Sequence, residues 1–207
     1  MKSEAIVELG KPLQTIESET PEPKGKEVLL KITHSGVCHS DVHIHDGYFD
    51  LGGGNKLPVG QMLNLPHTMG HEIEGEVAAI GPDVTDVEIG ANVVAYPWIG
   101  CGECATCKAG DEHYCNAPRQ LGIQLPGGFA DYCIVPDSKY VLDYTGIRPG
   151  LAATYMCSGL TAFGALKKFV NITDEDHILI MGLGGVGIMC LQFARALFNC
   201  KILAADI

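Results

Sequence analysis

Two hydrophobic patterns divide the chain. Before residue 150 the apolar positions come in short runs broken by Gly and Pro. "AIVEL" (5–9) reads as a short strand, and "EVLLKITHSGVC" (27–38) alternates apolar and polar residues as a longer one. "EIEGEVAAIG" (72–81), "ANVVAYP" (91–97) and "GGFADYCIVP" (127–136) repeat the pattern. Short strands with this punctuation predict a small, partly closed β-barrel. "LGGGNKLPVGQMLNLP" (51–66) reads as one long loop.

After residue 150 the period changes. "LAATYMCSGLTAFGALKKF" (151–169) has helical spacing despite two internal glycines. "HILIMG" (177–182) is continuously apolar, as a buried parallel strand is. "GVGIMCLQFARALF" (185–198) is an amphipathic helix, and "KILAAD" (201–206) is a second apolar strand. The predicted class is therefore mixed α/β. A β-barrel domain occupies 1–150, and a connecting helix with one βαβ unit, the start of a parallel-sheet domain, occupies 151–207. One βαβ unit leaves sheet edges open, so the expectation is a fragment, or a chain completed by something else. No internal repeat is visible.

Charge narrows the partners. The formal net charge is -11. Nucleic acid and anionic membranes both require clustered Lys and Arg, so neither is expected as a partner. The N-terminus "MKSEAIVELGKP" lacks the apolar core of a signal peptide, and no apolar run is long enough to span a bilayer. A cytoplasmic location follows as an expectation. In a reducing compartment nine cysteines point to metal or catalysis before disulfides.

Four of them, Cys101, Cys104, Cys107 and Cys115, fall in "CGECATCKAGDEHYC" with the spacing C-x2-C-x2-C-x7-C. Such spacing lets thiolates converge on one ion, and four thiolates close a tetrahedron round a structural zinc. Free buried thiols or a redox pair are the competing readings, and a redox pair needs two cysteines rather than four. His113, inside the loop, is a weaker substitute ligand.

A second donor set is scattered. Cys38 in "GVCHSDVH", His71 in "TMGHEIEGEV" and Cys157 in "YMCSGL" make one soft, one borderline and one soft ligand. Three protein ligands with an open position describe a catalytic zinc, which polarises a bound oxygen. Glu72 adjoins His71 as an occasional ligand or charge adjuster. Asp41 is placed to accept a hydrogen bond from His71 and orient it. Singly, these residues carry little. Cys133, Cys190 and Cys200 read as core. Tyr96 and Trp98 read equally well as pocket residues or as packing against the cysteine loop.

"GLGGVG" (182–187) follows an apolar strand, opens a helix, and has Asp206 at the end of the next strand. That context makes it a dinucleotide fingerprint. Gly182 permits the tight turn, Gly184 lets backbone approach a pyrophosphate, and Gly187 lets the helix pack on the sheet. The helix N-terminus favours phosphate. Asp206 suits ribose hydroxyls and repels a 2′-phosphate, which favours NAD over NADP. The competing reading is a glycine-rich turn that binds nothing.

In this combination and order the chain resembles the zinc-dependent medium-chain alcohol dehydrogenases over nearly its whole length. The resemblance is carried by "GVCHSD", "GHEIEGEV", the four-cysteine loop, "CSGLTA", and "GLGGVG" followed by Asp206. It implies a GroES-like catalytic domain and a Rossmann coenzyme domain with the active site between them. It implies two zinc ions per subunit, with Cys38, His71 and Cys157 holding the catalytic one beside Glu72 and the four-cysteine loop holding the structural one. Ser40 takes the position of the hydroxyl that receives the substrate proton, and His43 that of the histidine passing it to solvent. His39 stands where a basic residue adjoins the pyrophosphate, and Gly185 and Val186 complete the cofactor-facing loop. The implied reaction is reversible oxidation of a small alcohol to an aldehyde or ketone, with hydride transfer to NAD. A homodimer or homotetramer is the implied assembly. His34, His45 and His67 match no functional position, and surface or loop roles are expected. The alternatives are a polyol or aldehyde-linked dehydrogenase, or a non-catalytic zinc-stabilised module that binds a partner.

Overall fold

The computed structural model describes all of residues 1–207, and they divide into two compact units, Met1–Ala153 and Thr154–Ile207. In unit 1, β1 (Lys2–Ile6) and β2 (Gln14–Glu17) form a hairpin. Then follow β3 (Val28–Gly36), α1 (His39–Asp46), β4 (Tyr48–Asp50), β5 (Lys56–Pro58), β6 (His67–Thr68), β7 (Glu72–Ile80) and β8 (Asn92–Ala95). The short helix α2 (Ala105–Lys108), β9 (Tyr132–Val135), β10 (Val141–Asp143) and α3 (Ala152–Thr154) complete it. α3 reaches the first residue of unit 2.

The main sheet is antiparallel, ordered β10-β8-β7-β3-β9, and a smaller sheet is ordered β2-β1-β6. The two meet where Ser3 bridges Ala130 and Glu4 N donates to Phe129 O at 2.8 Å. Inward positions of the main sheet build the larger core from Val28, Leu30, Ile73, Val77, Val93 and Val135. Ile6, Ile44 and Met69 form a satellite core that seats α1.

Several elements differ from expectation. The first strand runs over Lys2–Ile6 rather than 5–9, because the chain turns at once, with Gly10 at φ +69°. The stretch 51–66 is not a structureless loop. β4 and β5 pair as a hairpin, its tip carrying Gly52, Gly53 and Gly54, all at positive φ, and a 3-10 turn follows over Gly60–Met62. Residues 39–46, which follow a strand in sequence, form α1. Its start is held by a capping box between Cys38 and Asp41, and it ends at Gly47 in the left-handed region.

Unit 2 opens with a π-helical turn, Tyr155–Gly159, which runs into α4 (Leu160–Leu166). β11 (His177–Met181) and β12 (Lys201–Ala205) pair in parallel through α5 (Gly185–Leu197). Leu166, Ile178, Ile180, Ala194 and Cys200 are its core. β11 was expected to be buried on both faces, but it alternates. Ile178 and Ile180 are buried, while Leu179 and Met181 are 57% and 80% exposed. The helical cover within the unit lies on one face of this two-stranded sheet.

Candidate metal centres and cofactor loop

The four-cysteine loop is held by its own backbone. Cys104 caps α2, its sulfur accepting from Cys107 N at 3.4 Å. Cys104 N donates to Cys101 Sγ at 3.4 Å, and Cys115 Sγ takes the amides of Cys101 and Ala117 at 3.3 Å each. Sulfur–sulfur distances are 3.5 Å for Cys104–Cys107, 3.8 Å for Cys104–Cys115 and 3.9 Å for Cys101–Cys107. A tetrahedron with zinc–sulfur bonds of about 2.3 Å has edges of about 3.8 Å. None of the nine cysteines is in a disulfide. The cluster therefore fits a closed four-thiolate zinc. Backbone amides pull the Cys101 thiol down to about 6, while burial pushes Cys107 up to about 12. His113 does not join the cluster. It is exposed and lies against Tyr114, ring centroids 4.0 Å apart.

The loop is also tied to the sheet by a residue that sequence reasoning missed. Glu112 accepts from Gly100 N at 3.3 Å and from Lys139 Nζ at 2.7 Å, and Tyr140 OH donates to it. Lys139 and Tyr140 are 27 and 28 residues away, so no local motif announces them. Tyr96 stacks on Tyr140 and lines a cavity of about 320 Å³ beside Glu112.

The second donor set in unit 1 is organised by α1 and β7. Cys38 stands at the N-terminus of α1, and His71 and Glu72 lead into β7. The ligand atoms of Cys38, His71 and Glu72 lie within 4.8 Å of one another. Asp41, buried at 2% exposure, joins the two segments. Its Oδ2 accepts from Cys38 N at 2.9 Å and its Oδ1 from Gly70 N at 3.3 Å. Asp41 Oδ1 also lies 3.3 Å from His71 Nδ1.

His71 has no solvent exposure, and neither ring nitrogen has a hydrogen bond of normal geometry. Burial pulls its imidazolium down, but Asp41 and the Cys38 thiol outweigh this and push it up to about 9. This buried point is lined by thiol, imidazole and carboxylate. These donors fit a zinc ion. Trp98 packs beside His71, ring centroids 5.7 Å apart, so of the two aromatic candidates it is the one at this site. His39 and His43 stack at 4.7 Å, and Phe49 of β4 lies 4.8 Å from His43. Ser40 is on the first turn of α1 and is partly exposed. Cys157 belongs to unit 2, where it is buried on the π-helical turn.

In unit 2 the glycine loop joins β11 to α5. Gly182 has φ +86°, and a Cβ on Gly187 would collide with the Gly182 carbonyl oxygen, so strand and helix need both glycines. A Cβ on Gly184 or Gly185 would meet nothing within 4 Å. Packing within the chain therefore does not require glycine at those two positions. Val186 is exposed on the first turn of α5. Asp206 faces the loop, accepting from Leu183 N at 2.5 Å and Ile207 N at 2.7 Å. These amides, Leu183 first, hold its carboxyl below the usual range.

Residues 24–145 match the alcohol dehydrogenase GroES-like domain, which is more than half the chain. The chain belongs to the zinc-type medium-chain alcohol dehydrogenase family. Among its relatives is an NAD-dependent alcohol dehydrogenase of Saccharolobus solfataricus, 39% identical over all of this chain and 59% of that relative. A cobalt- and zinc-bound thermostable alcohol dehydrogenase from Pyrobaculum aerophilum superposes with a TM-score of 0.83 at 30% identity, over 99% of this chain and 59% of that one. A D-arabinose dehydrogenase from Sulfolobus solfataricus gives a TM-score of 0.82 at 27% identity, over 100% of this chain and 60% of that one. The chain therefore spans about three fifths of the length of these relatives.

Within this family chain, the three unassigned histidines take different roles. His34 pairs with Glu74 at 3.1 Å, and His45 Nε2 meets Lys11 O at 2.7 Å. His67 departs from the expected surface role. It is 4% exposed on β6, its Nε2 3.2 Å from Gly122 O, because β6 closes the small sheet against the satellite core. As expected, Cys133 and Cys200 are buried, and Cys190 packs against the unit 2 core.

Proposed function

We propose that this protein is an NAD-dependent zinc alcohol dehydrogenase that reversibly oxidises a small alcohol to an aldehyde or ketone. One observation carries the reading: Cys38, His71 and Glu72 converge at a buried point that Asp41 braces from two segments at once. In this reading Cys38, His71 and Cys157 hold the catalytic zinc, with Glu72 as an adjacent carboxylate. Cys101, Cys104, Cys107 and Cys115 hold the second, structural zinc. Gly182, Gly184, Gly185, Val186, Gly187 and Asp206 receive the NAD, and His39 sits by its pyrophosphate. When bound, zinc supplies Lewis-acid polarisation of an oxygen, and the nicotinamide supplies the oxidant.

The chain's own residues handle the proton. Ser40 accepts it from the substrate hydroxyl and His43 passes it toward solvent. The reading is supported by His43 being half-buried, with its ring against those of His39 and Phe49. Asp41 orients His71 from the side of its Nδ1. The site lies in the cytoplasm, in a homodimer or homotetramer. No helix is long and apolar enough to cross a membrane.

The test is NADH formation at its near-ultraviolet absorbance with primary, secondary and polyol alcohols, run beside metal analysis. The expected result is two zinc ions per chain and turnover with at least one class. Cys38→Ser should lose one zinc and slow turnover by at least about a hundredfold. A protein that holds both metals yet neither binds NAD nor oxidises any alcohol would overturn the reading.

A further inference from the structure

α1 carries His39 and His43 four positions apart. On a helix that spacing sets two side chains on one face, a turn from each other. Their ring centroids lie 4.7 Å apart and their planes are 9° from parallel. His39 is exposed and His43 half-buried, and the Phe49 ring backs His43 at 4.8 Å from the β4–β5 hairpin. His34, His45, His67 and His71 each face a protein oxygen, from Glu74, Lys11, Gly122 and Asp41 respectively. His39 and His43 instead face one another, and neither ring is spent on a hydrogen bond or ion pair with the protein.

α1 is also a fixed platform. Asp41 and Ile44 bury its inner side, the capping box holds its start, and Gly47 closes its end. Neutral imidazole nitrogens are ligands for zinc, copper and nickel. Histidines at i and i+4 are an arrangement by which one helix face holds a metal ion. A second donor already ordered on the same helix strengthens the first with little further entropy to lose. The donors differ from those of the two zinc centres, since no thiolate takes part. The positive end of the α1 dipole works against a cation here. Two neutral ligands at that end make a site that fills and empties with the metal supply, not one that holds a resident ion.

We propose that His39 and His43 form a third metal site, which takes a divalent transition cation such as nickel(II), copper(II) or excess zinc(II), and that its occupation shuts off the proton relay. A cation on His43 takes the nitrogen lone pair that would otherwise accept the proton from Ser40. The metal site stands on α1 alone, whereas the inhibitory effect rests on the reading of His43 as the relay given above.

The test is calorimetric titration of zinc-loaded, gel-filtered protein with nickel(II), without NAD or alcohol, followed by metal analysis. Wild type should bind one nickel with its zinc content unchanged. His39→Gln and His43→Gln should each bind it at least about tenfold more weakly. His45→Gln, on the same helix but off this face, should bind like wild type. Nickel should then lower the alcohol oxidation rate of wild type, free histidine should restore it, and His39→Gln should keep its own rate in nickel. Failure to bind nickel, equal binding in both variants, or uptake matched by zinc release overturns the site. Nickel bound through both histidines with the rate unchanged overturns the inhibitory effect. A protein that oxidises no alcohol even without nickel overturns the dehydrogenase reading and the inhibition together, and the calorimetry still decides the metal site.

Discussion

Gly36 faces Glu72 across the β3–β7 ladder, and the Glu72 side chain fills the space a larger residue would need. A Cβ on Gly36 would lie 2.9 Å from Glu72 Cβ and 3.1 Å from its Cδ. Gly36→Ala should therefore displace Glu72, cost about 1–3 kcal/mol of stability, and weaken the metal held beside His71. Thermal melting and metal analysis check both parts. Buried His67 makes a prediction of a different kind. Burial lowers it below its ordinary 6.5, the Gly122 carbonyl offsetting this only in part. Above 6.5 it is neutral folded or unfolded and costs nothing. Below 6.5 the unfolded chain takes up a proton that the folded chain resists, so stability falls as pH falls. His67→Gln should flatten the stability profile between pH 6.5 and the lower folded value; an unchanged profile would mean other groups govern acid unfolding. Neither residue was legible as important in the sequence. Gly36 falls inside the stretch 27–38 read as a strand, where nothing marks it out, and His67 is recognised only by what packs over it.

At the scale of elements, the β11–α5 turn separates glycines required by the fold from glycines required by a ligand. Gly187→Ala drives a methyl into the Gly182 carbonyl and should lower the melting temperature, costing about 1–3 kcal/mol. Gly184→Ala meets open space, so it should melt like wild type while losing NAD affinity. Calorimetry beside an NAD fluorescence titration distinguishes them, and equal loss in both variants would remove the ligand argument for Gly184. This turn was readable in advance because its signal is local: an apolar strand, three spaced glycines and a helix. α1 was also readable in principle, since Asp41 three residues after Cys38 and Gly47 at the far end are cap signals. They were masked by the strand-like run that precedes them. The β4–β5 hairpin was not readable, because its strands are three residues each and its glycine tip looks like any loop.

At the scale of the molecule, the two units have separate cores, and the four-cysteine loop belongs wholly to the first. Chelation should therefore act unevenly. Amides of residues 99–118 should lose exchange protection, and the β8–β10 edge joined to them through Glu112, Lys139 and Tyr140 should follow. Amides of β11, α5 and β12 should keep theirs. Uniform loss across both units would contradict independent cores. The chain's order of motifs was enough to recognise its family and its mixed α/β class, because cysteine spacing and strand–glycine–helix patterns are short-range properties. The folded chain was needed to show that Asp41 ties Cys38 to the Gly70–His71 turn, that Trp98 rather than Tyr96 adjoins His71, and that Glu112 is an anchor. Each of those depends on residues tens of positions apart meeting at one buried point, and pairing at that range is fixed by packing and by the need to satisfy buried charge.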